Sequence, residues 1–317
     1  MIEILATGAM STVQDAGRQG HRRLGVSVAG PLDSLACAVG NAMLGNGSEL
    51  AFIEIVLFPF RARFAADGHI ALTGANAQAS LDDVPVLPWW TLPVRAGQVL
   101  SLRAPTEGAV AYLCTAGGID VPSLLGSRST DLKAGFGGLE GRVLRKGDCL
   151  ARGQASVPWR GRGFGVRPPS LTEAGEGATV VRVLPAAEWE TFPDEARQRF
   201  LDAAWRISPQ SNRIGVRLEG LAIRPSNAVE LLSHGIVPGV VQVPPSGQPI
   251  VMQCDAQTSG GYPKIATVIE ADQWRVAQTR MGARLRFRAV SLDEARQAWD
   301  EWYRFIERVR QAACLAQ

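Results

Sequence analysis

A chain of 317 residues has room for about two domains at roughly 100 to 200 residues each. Its formal net charge is only +3 and no long run of like charge appears, which excludes the footprint of a nucleic-acid binder and a polybasic membrane patch. The expected ligand is a small molecule or a protein, with no nucleic acid and no membrane as partner.

An acidic residue stands near the N-terminus where a signal peptide carries basic ones, and no apolar run approaches the roughly 20 residues that span a bilayer. A soluble cytoplasmic protein is expected. The five cysteines (Cys37, Cys114, Cys149, Cys254, Cys314) are odd in number, scattered and never in a C-x-x-C pair. The three histidines (His21, His69, His234) lack ligand spacing, so neither a disulfide framework nor a metal site is predicted.

In chain order, "VQDAGRQGHRRLGVSVAGPLD" supplies Gln14, Asp15, Arg18 and Asp33, read first as turn residues, with Asp33 capping a helix predicted over 34–44. Short apolar runs bounded by glycine and proline follow, "AFIEIVLFPF", "HIALTGA" and "GAVAYLCTAGGI", and each reads as a strand. The pattern Arg-x-Gly-x-x-Leu recurs at Arg95 to Leu100, Arg145 to Leu150 and Arg280 to Leu285. A glycine turn leading into a strand explains each copy. The first and third copies share a longer register, as two related β units in tandem would.

Within "GGIDVPSLLGSRSTDLKAGFGGLEGRVLRKGD", Arg128 is flanked by Ser127, Ser129 and Thr130. Its planar fork suits a carboxylate or phosphate, because two parallel N–H donors match two oxygens; the alternative is pairing with Asp131 or a carbonyl in a β-turn. The segment 151–177, rich in glycine, proline and arginine, marks a boundary between predicted domains over 1–160 and 175–317. Beyond it come a strand in "TVVRVLPA" and a helix over 194–205. The final helix opens on Ser291 and Glu294, the capping-box spacing, and carries a packing stripe of Ala295, Trp299, Trp302, Ile306 and Val309. The chain reads as mainly β with a few helices.

The segment richest in chemistry is "VVQVPPSGQPIVMQCDAQTSGGYPKIATVI". A strand here would set Val251 and Gln253 on one face and Ile250, Met252 and Cys254 on the other, with Asp255 at its end. Gly260 and Gly261 permit backbone angles closed to other residues, Pro263 biases Tyr262 toward an extended conformation, and a second strand starts near Lys264. A binding loop between two strands results. No G-x-x-x-x-G-K-[ST] loop, G-x-G-x-x-G fingerprint or G-x-S-x-G elbow is present.

The combination of "VQDAGRQG", "GGIDVPSLLGSRST", "GFGGLEGRVLRKGD", "PPSGQPIVMQCDAQTSGGYPKIATVI" and the final "MGARLRF" resembles the allophanate hydrolase subunit 2, or biotin-dependent carboxyltransferase-like, family. That family includes the C subunit of 5-oxoprolinase, the Kip-type regulators (KipA-like) and half of the carboxyltransferase region of urea carboxylase. The resemblance implies two tandem cyclophilin-like β-barrel domains and work with a B-type (KipI-like) partner protein and, in the oxoprolinase, an A-type partner protein. Relatives often read Ser-Asp-Arg-Met-Gly-Tyr where this chain has Ser211-Asn212-Arg213-Ile214-Gly215-Val216, so a carboxylate and a phenol are lost while Arg213 and Gly215 remain.

The function this implies is one component of an ATP-dependent lactam hydrolase that opens 5-oxoproline to glutamate, with ATP handled by the complex. Lys264, Arg128 with Ser127, and the N–H groups at Gly260 and Gly261 would hold a carboxylate or a transferring phosphoryl group. Asp255 would accept the ring N–H or relay a proton, while Gln242, Gln257, Thr258 and Tyr262 orient the amide or lactam. Two alternatives are carboxyl transfer from carboxybiotin to a urea-like amide and a non-catalytic Kip-type regulatory role. No Met-Lys pair of the kind that marks a biotinyl-lysine site occurs, so biotin would not be attached to this chain.

Overall fold

In the computed structural model, which describes residues 1–155, 163–171, 177–226 and 231–316, alternation of apolar and charged residues sets the strands. Phe60–Phe64 is typical: Phe60, Ala62 and Phe64 are buried while Arg61 and Arg63 face out, the period-two pattern of a strand with one wet face. The chain divides into two units. One holds Met1–Gln19, Ala29–Pro169 and Tyr303–Gln317; the other holds Gly20–Val28 and Ser170–Trp302. The predicted boundary segment includes residues 156–162 and 172–176, which lie outside the described residues.

The first unit contains a seven-stranded and a five-stranded sheet. The seven run in the order Ile119–Asp120, Cys149–Arg152, Ile2–Ala6, Phe60–Phe64, Val99–Leu102, Ser80–Leu81 and Val84–Pro85. The five run Ser11–Gln14, Phe52–Ile55, Glu107–Thr115, Gly68–Asn76 and Trp90–Val94. Ile2, Ile4, Ile53, Ile55, Phe64, Leu72, Leu100 and Leu113 share one core. "AFIEIVLFPF" is not one strand: Phe52–Ile55 ends before a bend at 57–58, and Phe60–Phe64 belongs to the other sheet. Helix Ser34–Met43 starts where expected, with the Asp33 carboxylate accepting from the Ala36 N–H at 2.8 Å. It packs along Gly68–Asn76, where the Thr73 hydroxyl donates to the Ala36 carbonyl at 2.7 Å.

The second unit is built on a closed barrel of seven strands: Thr179–Pro185, Lys264–Val268, Val240–Gln242, Ile250–Met252, Gly215–Glu219, Trp205–Ile207 and Arg284–Ala289. A parallel pairing of Thr179–Pro185 with Arg284–Ala289 closes it. Val181, Val241, Val251, Ile265, Leu285 and Phe287 fill the interior, and Phe200 stacks on Phe287 with ring centroids 4.5 Å apart. The helix expected over 194–205 stops at Asp202. Ala203 turns extended so that the fully buried Trp205 can open a barrel strand, its indole N–H donating to the Phe200 carbonyl at 3.0 Å.

The Arg-x-Gly-x-x-Leu copies at Arg95, Arg145 and Arg280 form the same object, whereas a fourth match, Arg213 to Leu218, does not: its Gly215 opens the barrel strand Gly215–Glu219. Gly97, Gly147 and Gly282 have φ of 89°, 93° and 83°, and each copy closes a turn by a hydrogen bond from the fourth residue to the arginine carbonyl at 3.0 to 3.1 Å. Each glycine N–H then donates across to a neighbouring strand, at Phe64, Ile4 and Ile207 respectively. Strands Val99–Leu102, Cys149–Arg152 and Arg284–Ala289 follow the turns.

Helix Leu292–Ala316 opens on the predicted capping box, with the Glu294 N–H donating to Ser291 Oγ at 3.2 Å and the Ser291 N–H to Glu294 Oε2 at 2.7 Å. Its buried positions are Ala298, Ile306, Val309 and Ala313. Trp299, placed in the packing stripe by spacing, is instead 37% exposed and stacks on Trp302 at 4.8 Å. Four α-helices occur among the described residues, so the mainly β reading with few helices holds.

Candidate functional site

In the second unit the site grows from two strand pairings. Val240–Gln242 pairs with Lys264–Val268 and sets Gln242 opposite Lys264, while His234–Gly235 pairs with Ser259–Gly260 as a short ribbon. Val241 points into the barrel core; Val240 and Met252 turn the other way and pack with Ile236 and Ala256 beneath that ribbon. Gln242 shares the outward face of Val240 by strand alternation and is 2% exposed. Its carboxamide makes one long contact, 3.4 Å to the Tyr262 carbonyl.

The double glycine serves close approach, not unusual backbone angles. Neither Gly260 nor Gly261 has positive φ, contrary to expectation. A Cβ on Gly260 would lie 2.6 Å from Ile236 Cδ1, 3.3 Å from Gln242 Nε2 and 3.6 Å from Gln257 Nε2; one on Gly261 would lie 2.9 Å from the Leu231 carbonyl oxygen. Two carboxamides thus flank a bare stretch of backbone. Thr258 holds the ribbon, its carbonyl accepting from Ile236 N–H at 3.0 Å. Lys264 donates its backbone N–H to Glu188 Oε2 at 3.1 Å, and no hydrogen bond or ion pair among the described residues ties down its ammonium. Tyr262 is 47% exposed at the rim. The structure therefore brings together Gln242, Gln257, Thr258, Gly260, Gly261, Tyr262 and Lys264.

Asp255 is placed differently from the sequence reading. The strand ends at Met252, so Gln253 and Asp255 lie in the following turn, because their backbone N–H groups donate to the Ile214 and Arg213 carbonyls at 2.9 and 3.0 Å. The buried Asp255 carboxylate accepts from Arg213 Nε at 2.8 Å and from Nη2 at 3.0 Å. A bidentate pair of this kind fixes both side chains.

In the first unit, the buried carboxylate of Asp15 is the hub. Oδ1 accepts from the hydroxyls of Ser127 and Ser129, each at 2.6 Å, and from Gly17 N–H at 2.9 Å. Oδ2 accepts from the Arg128 backbone N–H. Ser127 is thus engaged inward, and the Arg128 side chain donates from Nε to the Val121 carbonyl at 2.9 Å, with Asp120 3.5 Å from Nη2. Arg128 does not pair with Asp131, whose Oδ1 accepts from the Lys133 and Ala134 N–H groups. The fully buried Arg18 donates to the Leu124 and Ser129 carbonyls and lies 4.5 Å over the Phe136 ring; burial lowers its pKa, opposed by Asp131 and Asp15. A Cβ on Gly137 would overlap the Ser129 carbonyl oxygen, which explains that glycine. In the sequence Asp15 reads as a turn residue and His234 as an isolated histidine, and only "VQDAG" beside a serine-rich partner segment hints at the first.

Comparison with known proteins decides the family: residues 24–289 match the carboxyltransferase domain, subdomain A and B. The chain belongs to that carboxyltransferase family. It is 43% identical to the 5-oxoprolinase C subunit of Escherichia coli (strain K12), over 98% of this chain and 97% of the relative, and 42% identical to the Haemophilus influenzae protein of the same name over 93% of each. The crystal structure of the Kluyveromyces lactis urea carboxylase superposes with a TM-score of 0.89 at 30% identity, covering 98% of this chain. This chain spans only 29% of that larger protein.

Chemically, this carboxyltransferase-family chain presents hydrogen-bonding carboxamides, an ammonium and a phenol around exposed backbone. Such groups bind amide and carboxylate oxygens. Among the described residues, no group of three or more His, Cys, Asp or Glu side chains is arranged to hold a metal ion, and no helix is long and apolar enough to cross a membrane.

Proposed function

We propose that this chain is the C-type component of an ATP-dependent 5-oxoprolinase, acting with A-type and B-type partner proteins to open 5-oxoproline to glutamate. The observation that carries this reading is 43% identity to the E. coli C subunit over 98% of this chain and 97% of that one. A lactam is a poor electrophile, so ring opening is coupled to ATP hydrolysis by the complex. The second unit then supplies substrate contacts: Gln242, Gln257, Thr258 and the Gly260–Gly261 backbone orient the lactam, and Lys264 with Tyr262 holds its carboxylate or a transferring phosphoryl group. Asp255 acts through Arg213 as a positioning residue. In the first unit, Asp15 and Ser127 set the backbone around Arg128, which serves a second anionic group.

The test is to co-purify the chain with its B-type partner, add the A-type protein and measure ATP hydrolysis. Stimulation by 5-oxoproline is expected, and its absence sinks the reading. A second reading, carboxyl transfer from carboxybiotin, draws on the likeness to urea carboxylase at 30% identity. It requires a biotinylated partner and predicts bicarbonate-dependent, avidin-sensitive turnover.

A further inference from the structure

Resting on the lactam reading above, the geometry points to His234 as the group that reads the substrate's ring N–H. Nδ1 of His234 lies 3.0 Å from the Leu232 carbonyl oxygen. A carbonyl only accepts, so Nδ1 carries the proton of that bond, and in the neutral ring Nε2 bears the lone pair. Nε2 is buried and has no hydrogen-bond partner among the described residues. Buried acceptors in folded proteins are paired as a rule, and an orphan marks the place of a water or a ligand donor.

The position of this orphan gives it a meaning. His234 pairs directly with Gly260 across the ribbon, and the bare Gly260 backbone is flanked by the Gln242 and Gln257 carboxamide nitrogens. Among the described residues the Gln257 side chain makes no hydrogen bond, and that of Gln242 makes only its 3.4 Å contact. A five-membered lactam is a cis amide and shows its N–H and its carbonyl side by side on one edge. One lone-pair nitrogen and two carboxamide donors complement that edge: His234 Nε2 accepts the N–H and the glutamines donate to the oxygen. An ester or carboxylate lacks the N–H, so His234 gives this site its preference for amides. The ion pair of Arg213 with Asp255 leaves Asp255 engaged elsewhere, which is why the histidine and not the aspartate takes this part.

The experiment titrates the assembled complex, without ATP, with 5-oxoproline and with the five-membered lactone that replaces its ring N–H by oxygen. The wild-type complex is expected to bind the lactam roughly tenfold or more tightly than the lactone, since a polar group built to meet a substrate N–H is left unpaired by the analogue. In His234→Ala the preference collapses to about twofold or less, mainly through weaker lactam binding. His234→Phe keeps the bulk of the ring, removes both nitrogens and carries the same test where alanine fails to assemble. An assembled variant that keeps the full preference overturns the role of His234 and leaves the functional reading intact. A wild-type complex that binds neither compound overturns the lactam reading, and the inference with it.

Discussion

Asp255 and Lys264 both stand out in one polar segment, yet their surroundings set them apart. Asp255 is buried in a bidentate pair with Arg213, so removing it strands a guanidinium in the interior. Asp255→Ala is expected to lower the unfolding free energy by about 3–5 kcal/mol in urea titration, and the double change to Arg213→Met with Asp255→Leu by less. An Asp255→Ala protein with the wild-type midpoint would show the pair to be idle. Lys264→Ala, which cuts an untethered ammonium, is expected to change stability by under about 0.5 kcal/mol. It is expected to reduce 5-oxoproline-dependent turnover roughly tenfold or more, measured on the assembled complex. The sequence made the residue types and their crowding visible. It did not reveal the partner of Asp255, because Arg213 is 42 positions away and only folding joins them.

Local devices were the most legible elements. The Arg-x-Gly-x-x-Leu turns at Gly97, Gly147 and Gly282 and the Ser291–Glu294 box are written in residues three or four apart and form as their spacing predicts, while the same spacing at Arg213 to Leu218 is overridden by the barrel strand Gly215–Glu219. Around Gly97 and Gly147 a Cβ would meet nothing within 4 Å, and at Gly282 only Arg206 Nη2 at 3.9 Å. Alanine at each therefore costs backbone strain alone, about 1–2 kcal/mol by thermal or chemical denaturation. Gly137→Ala is expected to cost more, because its Cβ overlaps the Ser129 carbonyl.

Asp148 in the second turn accepts from Arg142 Nη1 at 2.8 Å and from Arg145 N–H at 2.7 Å, and the Arg142 bond holds its carboxyl below the usual range. A depressed native pKa stabilises above the unfolded value near 3.9 and is lost as pH falls through the native one. Asp148→Asn should therefore weaken the protein at pH 7 and flatten this part of its acid unfolding; an unchanged acid limb contradicts the assignment. Where elements failed to read, tertiary demands prevailed: the helix ends at Asp202 because Trp205 is needed in the barrel.

For the whole molecule, short apolar runs between glycines and prolines disclosed a mainly β chain, while the closing partners did not show. The barrel is sealed by pairing Thr179–Pro185 with Arg284–Ala289, strands from opposite ends of the second unit. Closure matters because it holds Gln242 opposite Lys264 on a rigid wall, beneath the ribbon that carries His234 and Gly260. The most direct test of the 5-oxoprolinase reading is glutamate release from 5-oxoproline by the reconstituted complex, with and without this chain. Glutamate and ADP are expected in equal amounts, only when this chain is present, and unaffected by avidin. Glutamate formation that does not depend on this chain, or turnover that appears only with bicarbonate and is abolished by avidin, would contradict that reading.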